Sequence, residues 1–197
     1  MKQNNIKYMS FLPDDYKKPE QGSKFLSPSK IEGEVKIRIL TSAITGWVDW
    51  DNSGDKPKPV RTQEKPEKSF APDRAARHFW AFAVWNYSEE CVQIMEIPQA
   101  TIQDLLISFI NDEDWGNPTG YDVKVKKEGE KLLTKYTLTP SNKAETSPEI
   151  VKAFKEAKVN VEKMFSGDDP FGESTDEILE EVAEKEEKDL GDLAAAM

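Results

Sequence analysis

Apolar and polar residues first alternate regularly from Glu34, where Val35, Ile37 and Ile39 share one face and Lys36 and Arg38 the other. The alternation runs through AITGWVDW to Trp50, which predicts one long strand bent at Gly46. Residues 51–76 carry Pro57, Pro59, Pro66 and Pro72 among polar neighbours. Proline removes ladder donors, so a long loop without regular structure over most of its length is expected, of the kind that is usually functional or disordered. RHFWAFAVWNY, residues 77–87, is apolar on both faces and predicts a central strand covered on each side. Ser88-Glu89-Glu90 turns the chain into a return strand, Cys91 to Ile97, stopped by Pro98. Ile102, Leu105, Leu106, Phe109 and Ile110 then form one helical stripe, with Thr101 and Asp104 spaced as a capping box. After the turn-rich NDEDWGNPTG, the period-2 runs YDVKVKK and KLLTKYTLT, joined by EGE, predict a second hairpin ending at Pro140.

The expected fold is mainly β with peripheral helices, in the order β-β-β-α-β-β over residues 31–140. That is the strand order of the OB-fold, a five-stranded Greek-key barrel, although strand order alone leaves other small α+β folds open. Residues 1–30, with scattered Tyr8, Phe11, Tyr16 and Phe25 and no sustained period, predict an extended arm. Ser147 as N-cap, Pro148 at the first helical position and Glu149 in the first turn predict a C-terminal helix over 147–165. Its narrow stripe is Ile150, Phe154, Ala157, Val161 and Phe165. GDDPFG breaks it. Residues 166–197 have too little apolar content to offset the cost of ordering and predict an acidic, largely disordered tail.

The charge is unevenly placed along the 197 residues. The formal net charge is -10, and from Ser166 onward only Lys185 and Lys188 stand against 12 acids, so this tail carries all of it. The body before it is neutral. One cysteine, Cys91, excludes an internal disulfide, and no Cys or His pair has metal-ligand spacing, so neither a metal nor another cofactor is expected. A reducing cytoplasmic setting fits best. The N-terminus lacks an apolar signal region, and no stretch approaches the ~20 apolar residues of a membrane span.

A surface for single strands needs cations for phosphates and exposed rings for bases, each stacked base contributing roughly 1–3 kcal/mol. Lys36 and Arg38 alternate out of the first predicted strand, and Lys124 and Lys126 out of the fourth. The long loop adds Lys56, Lys58, Arg61, Lys65, Lys68, Arg74 and Arg77 against Glu64, Glu67 and Asp73. Trp47, Trp50, Trp85 and Tyr87 lie on or at the ends of the strands nearest that loop. The rings divide between core and surface: Phe79 or Trp80 is expected inside, whereas Trp47 and Trp50, flanked by Gly46, Asp49 and Asp51, are the better candidates for exposure. His78 and Cys91 could meet across a hairpin, but no third group orients them and both fit a packed sheet, so no enzyme is expected. Asp112, Glu113 and Asp114 follow a helix and precede Gly116, which reads as a turn rather than a cation site. The alternative to nucleic-acid binding is a protein-interaction or assembly module, with the barrel as scaffold and the tail as binding segment.

KYMSFLPDDYKKPE, VKIRIL, GWVDW, KPVR, HFWAFAVWNY, MEIPQATIQ and DWGNPTGYD resemble a family of tailed-bacteriophage single-stranded DNA-binding proteins. The similarity covers about residues 7 to 140, with HFWAFAVWNY and DWGNPTGYD its most specific parts. It implies an OB-fold factor of phage DNA replication, recombination and repair in the host cytoplasm, which coats single strands and recruits replication or recombination proteins through its acidic tail. Self-association on DNA, through the arm with Lys7, Lys17 and Lys18, is compatible with it. The zinc subdomain of some relatives is not carried over, since this chain has one Cys and one His. Asp168-Asp169-Pro170-Phe171 is similar to the acidic Pro-Phe tip with which bacterial single-stranded DNA-binding proteins dock partners. Here it lies 26 residues before the end, and the chain finishes LAAAM.

Overall fold

The computed structural model describes residues 23–54, 56–70 and 74–172. In chain order the strands are β1 (Phe25–Leu26), β2 (Glu34–Ile39), β3 (Ile44–Asp51), β4 (Lys58–Thr62), β5 (Arg77–Asn86), β6 (Cys91–Ile97), β7 (Tyr121–Glu128) and β8 (Lys135–Lys143). The α-helices are α1 (Ala100–Ile110), between β6 and β7, and α2 (Pro148–Ala157) and α3 (Lys163–Ser166), after β8. The protein is mainly β, built on one open mixed sheet ordered β1-β6-β5-β2-β7-β8. No helix among the described residues is long and apolar enough to cross a membrane.

The run that is apolar on both faces becomes β5, and it sits in the middle as expected. One edge pairs with β6 from Trp80 to Asn86. The other edge is shared: β3 pairs with Arg77 to Ala81, and β2 with Val84 to Asn86. β2 and β3 are therefore the two halves of the predicted first strand, and the break falls at 40–43 rather than at Gly46. The sheet curls, because Ile37, Phe82, Met95, Val123 and Leu138, from five different strands, share one core cluster with Ile102 and Leu106 of α1. β6 and β8 are not hydrogen-bonded to each other, and α1 packs against both.

A second core covers the outer face of β5. Val48, Phe79, Ala81 and Ile94 pack with Val161 and Met164, and Phe165 and Phe171 lie against them. The segment 159–171 is held as a strap, with Val159 bridged to Phe171 and Asn160 N–H donating to the Pro170 carbonyl at 2.9 Å.

Other expectations change as well, and β8 runs through Pro140, its expected end, to Lys143. The predicted loop contains β4, which pairs only with β3, so Pro59 sits on an outer edge where no donor is required. The predicted helix over 147–165 ends at Ala157, with Lys158 left-handed (φ 45°), and resumes only at α3. β-branched Val159 and Val161 weaken the helix there, and breaking it delivers Val161, Met164 and Phe165 to the second core. Gln99, not Thr101, occupies the N-cap of α1, without a side-chain cap. The arm is extended only in part: Phe25 and Leu26 pair in parallel with β6, and a 3-10 turn follows at Pro28–Lys30. Residues 1–22 and the acidic tail from 173 onward lie outside the described residues.

Gly46 marks the closest approach between β3 and the strap. A Cβ there would lie 2.5 Å from the Thr62 carbonyl oxygen and 2.8 Å from Phe165 Cε1. Because one neighbour is backbone, relaxation is restricted, and Gly46→Ala is expected to cost about 1–3 kcal/mol in chemical denaturation. An unchanged midpoint would show that β4 and the strap yield there.

Candidate nucleic-acid interface

The polar face of β2 meets that of β7. Arg38 stands between Trp85 on β5 and Asp122 on β7, and Lys36 stands opposite Lys124. Arg38 is only 3% exposed. Its Nε donates to Asp122 Oδ1 at 2.5 Å, and its Nη1 to the Ala144 carbonyl at 2.8 Å and to Thr146 Oγ1 at 3.3 Å. Lys36 Nζ lies 2.7 Å from Asp122 Oδ2 and 4.2 Å from the Tyr87 ring centroid, while the Tyr87 hydroxyl donates to Asp122 Oδ1 at 3.1 Å. Burial alone would raise the Asp122 carboxyl, but hydrogen bonds from Lys36, Arg38 and Tyr87 and the guanidinium charge hold it below the ordinary carboxylate value. Burial and the Asp122 charge push the Tyr87 hydroxyl up.

This cluster corrects the placement of Arg38, which the alternation put on an open face. The segment after β8 covers it, and its Nε and Nη1 donors are committed. Further along the same face, Lys124 Nζ lies 3.4 Å from Glu34 and Lys126 Nζ 2.7 Å from Glu128, both pairs partly exposed. Trp85 is half-buried between Arg38 and Val92.

The second grouping is on the β3–β4 hairpin. Trp47 and Trp50 are three residues apart in one strand and emerge on opposite faces. Trp50 is 37% exposed, beside Pro59. Trp47 is half-buried, lies opposite His78 and Thr62, and shares their face with Lys58. The His78 ring packs edge-on to it at 5.4 Å, and Lys65 Nζ lies 5.2 Å from its centroid.

Asp49, absent from the sequence-based candidates, organises the loop that carries Lys65. It is buried, accepting from Trp50 N–H at 2.8 Å, Ser69 Oγ at 2.8 Å and Phe70 N–H at 2.7 Å. These bonds and the Arg74 charge outweigh desolvation and lower its pKa. Both acids had a weak signal in the sequence, each sitting between two apolar residues of a strand, Val48 and Trp50 or Tyr121 and Val123.

The predicted cations thus fall into two sets. Lys36, Arg38, Arg61, Lys124 and Lys126 each have a carboxylate partner, Arg61 through Glu96 at 2.7 Å. Among the described residues, Lys56, Lys58, Lys65, Lys68, Arg74 and Arg77 have none within ion-pair distance, and all six are exposed, with Lys58 standing opposite Asp51 and helping to lower its carboxyl pKa. The acidic Pro-Phe motif is also placed. Pro170 is buried, Phe171 packs edge-on to Phe25 at 6.3 Å, and Asp169 pairs with Lys24 at 2.5 Å, whereas Asp168 is exposed and accepts from Ser166 Oγ at 2.6 Å. His78 and Cys91 are set far apart. Cys91 lies opposite Asn86, and eight strand residues at about 3.3 Å each separate Asn86 from His78. Asp112 Oδ1 accepts from Asp114 and Trp115 N–H, the turn expected there.

Neither protein-family models, nor curated proteins, nor solved structures show a match to this chain.

Asp122→Asn leaves the buried Arg38 guanidinium without its main counter-charge and is expected to cost about 3–5 kcal/mol in urea denaturation. The folded pKa of Asp122 is depressed, so its contribution is present above the unfolded value of about 3.9. It is lost as pH falls through the folded value. Stability of the native chain should therefore decline more steeply on the acid side than that of Asp122→Asn, and parallel acid limbs would contradict this role.

Proposed function

We propose that this chain binds single-stranded DNA without sequence preference and acts in phage DNA replication, recombination and repair. The β3–β4 hairpin and the start of β5 form its primary contact. The observation that carries the reading is the position of the uncompensated cations. Lys58, with Asp51 opposite it but outside ion-pair distance, and Lys65 share the Trp47–His78 face, while Arg77 lies on the other face of β5, opposite Val48. A cation without a carboxylate partner contacts a phosphate without first giving up an ion pair, and a partly open indole offers a stacking surface to any base.

The strand pairing β6-β5-β2-β7-β8, with α1 between β6 and β7, supports an OB-type barrel left unclosed between β6 and β8. In that fold the residues between the first and second strands, here 51–76, form part of the binding surface. The 12 acids from Ser166 onward would compete with DNA for the same cations and attract basic partner surfaces. The alternative, an interaction scaffold, is favoured by Leu132 and Leu133, which stand almost fully exposed between β7 and β8.

The two readings separate by charge reversal. Lys58→Glu with Lys65→Glu should weaken oligo-dT binding and make the slope of log K against log salt shallower by about 1.4, about 0.7 for each lost contact. Lys124→Glu with Lys126→Glu should change it less, because both lysines already face carboxylates. Equal effects of the two pairs would move the contact to the β2–β7 face, and no binding by the native chain at low salt would favour the scaffold.

A further inference from the structure

A pocket of about 360 Å³ opens on the same face of β5 as Trp47 and His78. The register makes it continuous with the hairpin surface: Trp47 lies opposite His78, Thr45 opposite Trp80, and Trp80 forms one wall of the pocket. Its buried lining is apolar, made by Ile39, Phe82 and Leu106, with the exposed Ile110 beside them. Its remaining lining is mixed, Thr41, Ser42 and Ala43 on one side and Asn117, Pro118 and Thr119 on the other, and supplies its hydroxyl and amide groups. Asn117 spends its carbonyl oxygen on Thr119 N–H and Thr119 Oγ1, at 3.1 and 3.0 Å, which leaves its amide N–H groups as donors at the rim. Ser42 is exposed, and its hydroxyl is free to donate or accept. A neighbouring groove shares residues 41–43 as a wall, and its charged lining residues are Lys155, Lys158 and Glu162.

We infer that this pocket receives one nucleobase, turned out of the bound single strand, with its ring against Trp80 and its polar edge at Ser42 and Asn117. The inference rests on the single-strand reading above and adds a subsite to it. Ligand pockets run from about 300 Å³ upward, so this one suits a single ring system rather than a peptide or an acyl chain. An apolar buried lining with polar groups only on its mixed sides matches a flat heteroaromatic ring that carries carbonyl groups on its edge. Lys155 and Lys158 would neutralise the phosphates on either side of the inserted nucleotide. Every base has a face to stack, so the subsite fixes register along the strand more than sequence.

The test uses the full chain and the shortest oligo-dT that it binds fully, so that the strand cannot slide. An abasic residue is moved through that oligonucleotide one position at a time, which removes a base and keeps every phosphate. One position should weaken binding by about tenfold beyond its neighbours, the worth of a stacked base. In Ser42→Phe, whose added ring fills the pocket from an exposed turn, that position should lose its distinction while the unmodified oligonucleotide binds about tenfold more weakly. In parallel, 2-aminopurine at that position should be quenched on binding the native chain and not on binding the variant. If no position stands out and 2-aminopurine responds alike in both proteins, the pocket holds no base while the hairpin reading survives. If the native chain binds no oligonucleotide at low salt, both readings fall.

Discussion

β5 must be covered on both faces and paired along both edges, and the rest of the structure is arranged to meet that demand. A ten-residue strand reading RHFWAFAVWN cannot present either side to water without exposing large apolar surface. The curled sheet and α1 cover one face with Phe82 and Val84 in the first core. The strap over 159–171 covers the other, against Phe79 and Ala81. The edge opposite β6 is too long for β2 alone, so β2 and β3 divide it. That division places the β3–β4 hairpin along the first half of β5, where the strap packs on one of its faces and Trp47 lies on the other.

Electrostatics then decides which cations are free to bind anything. At the β2–β7 junction, one carboxylate, Asp122, gathers Lys36, Arg38 and Tyr87. These residues hold two strands together, and because two cations share one carboxylate the group keeps one positive charge in excess, with Arg38 itself buried. On the hairpin, Asp49 uses its oxygens on backbone and hydroxyl donors, so it fixes the loop without consuming a cation through an ion pair. The two acids have opposite consequences for a polyanion. The first converts basic residues into structure, and the second positions basic residues that remain open.

Much of the strand order was legible because it rests on local periodicity. The both-face apolar run, the bounding Pro98 and the two later alternating runs each specify an element without reference to the others. What periodicity cannot show is what lies over a face. Arg38 alternates with Ile37 and Ile39 like any solvated strand residue, yet it is buried, and two of its hydrogen-bond acceptors, Ala144 and Thr146, lie more than a hundred positions later. β4 was hidden by the opposite error. Pro57 and Pro59 signal a break in isolation, yet Pro57 precedes β4 and a strand paired on one side alone tolerates Pro59. The interruption of the predicted C-terminal helix at Lys158 follows from the apolar surface waiting on β3, β5 and β6, a tertiary reward that helical spacing does not encode. The pocket at Trp80 is assembled from β2, β5, α1 and the turn before β7, and no linear motif brings those together.

The direct measurement is intrinsic tryptophan fluorescence while the full chain is titrated with oligo-dT, set beside matched duplex, at low and at high salt. Single-strand binding on the hairpin should quench emission strongly, leave the duplex response weak and move the midpoint to higher DNA concentration as salt rises. Emission that is unchanged by either nucleic acid at low salt would contradict a stacking surface at Trp47.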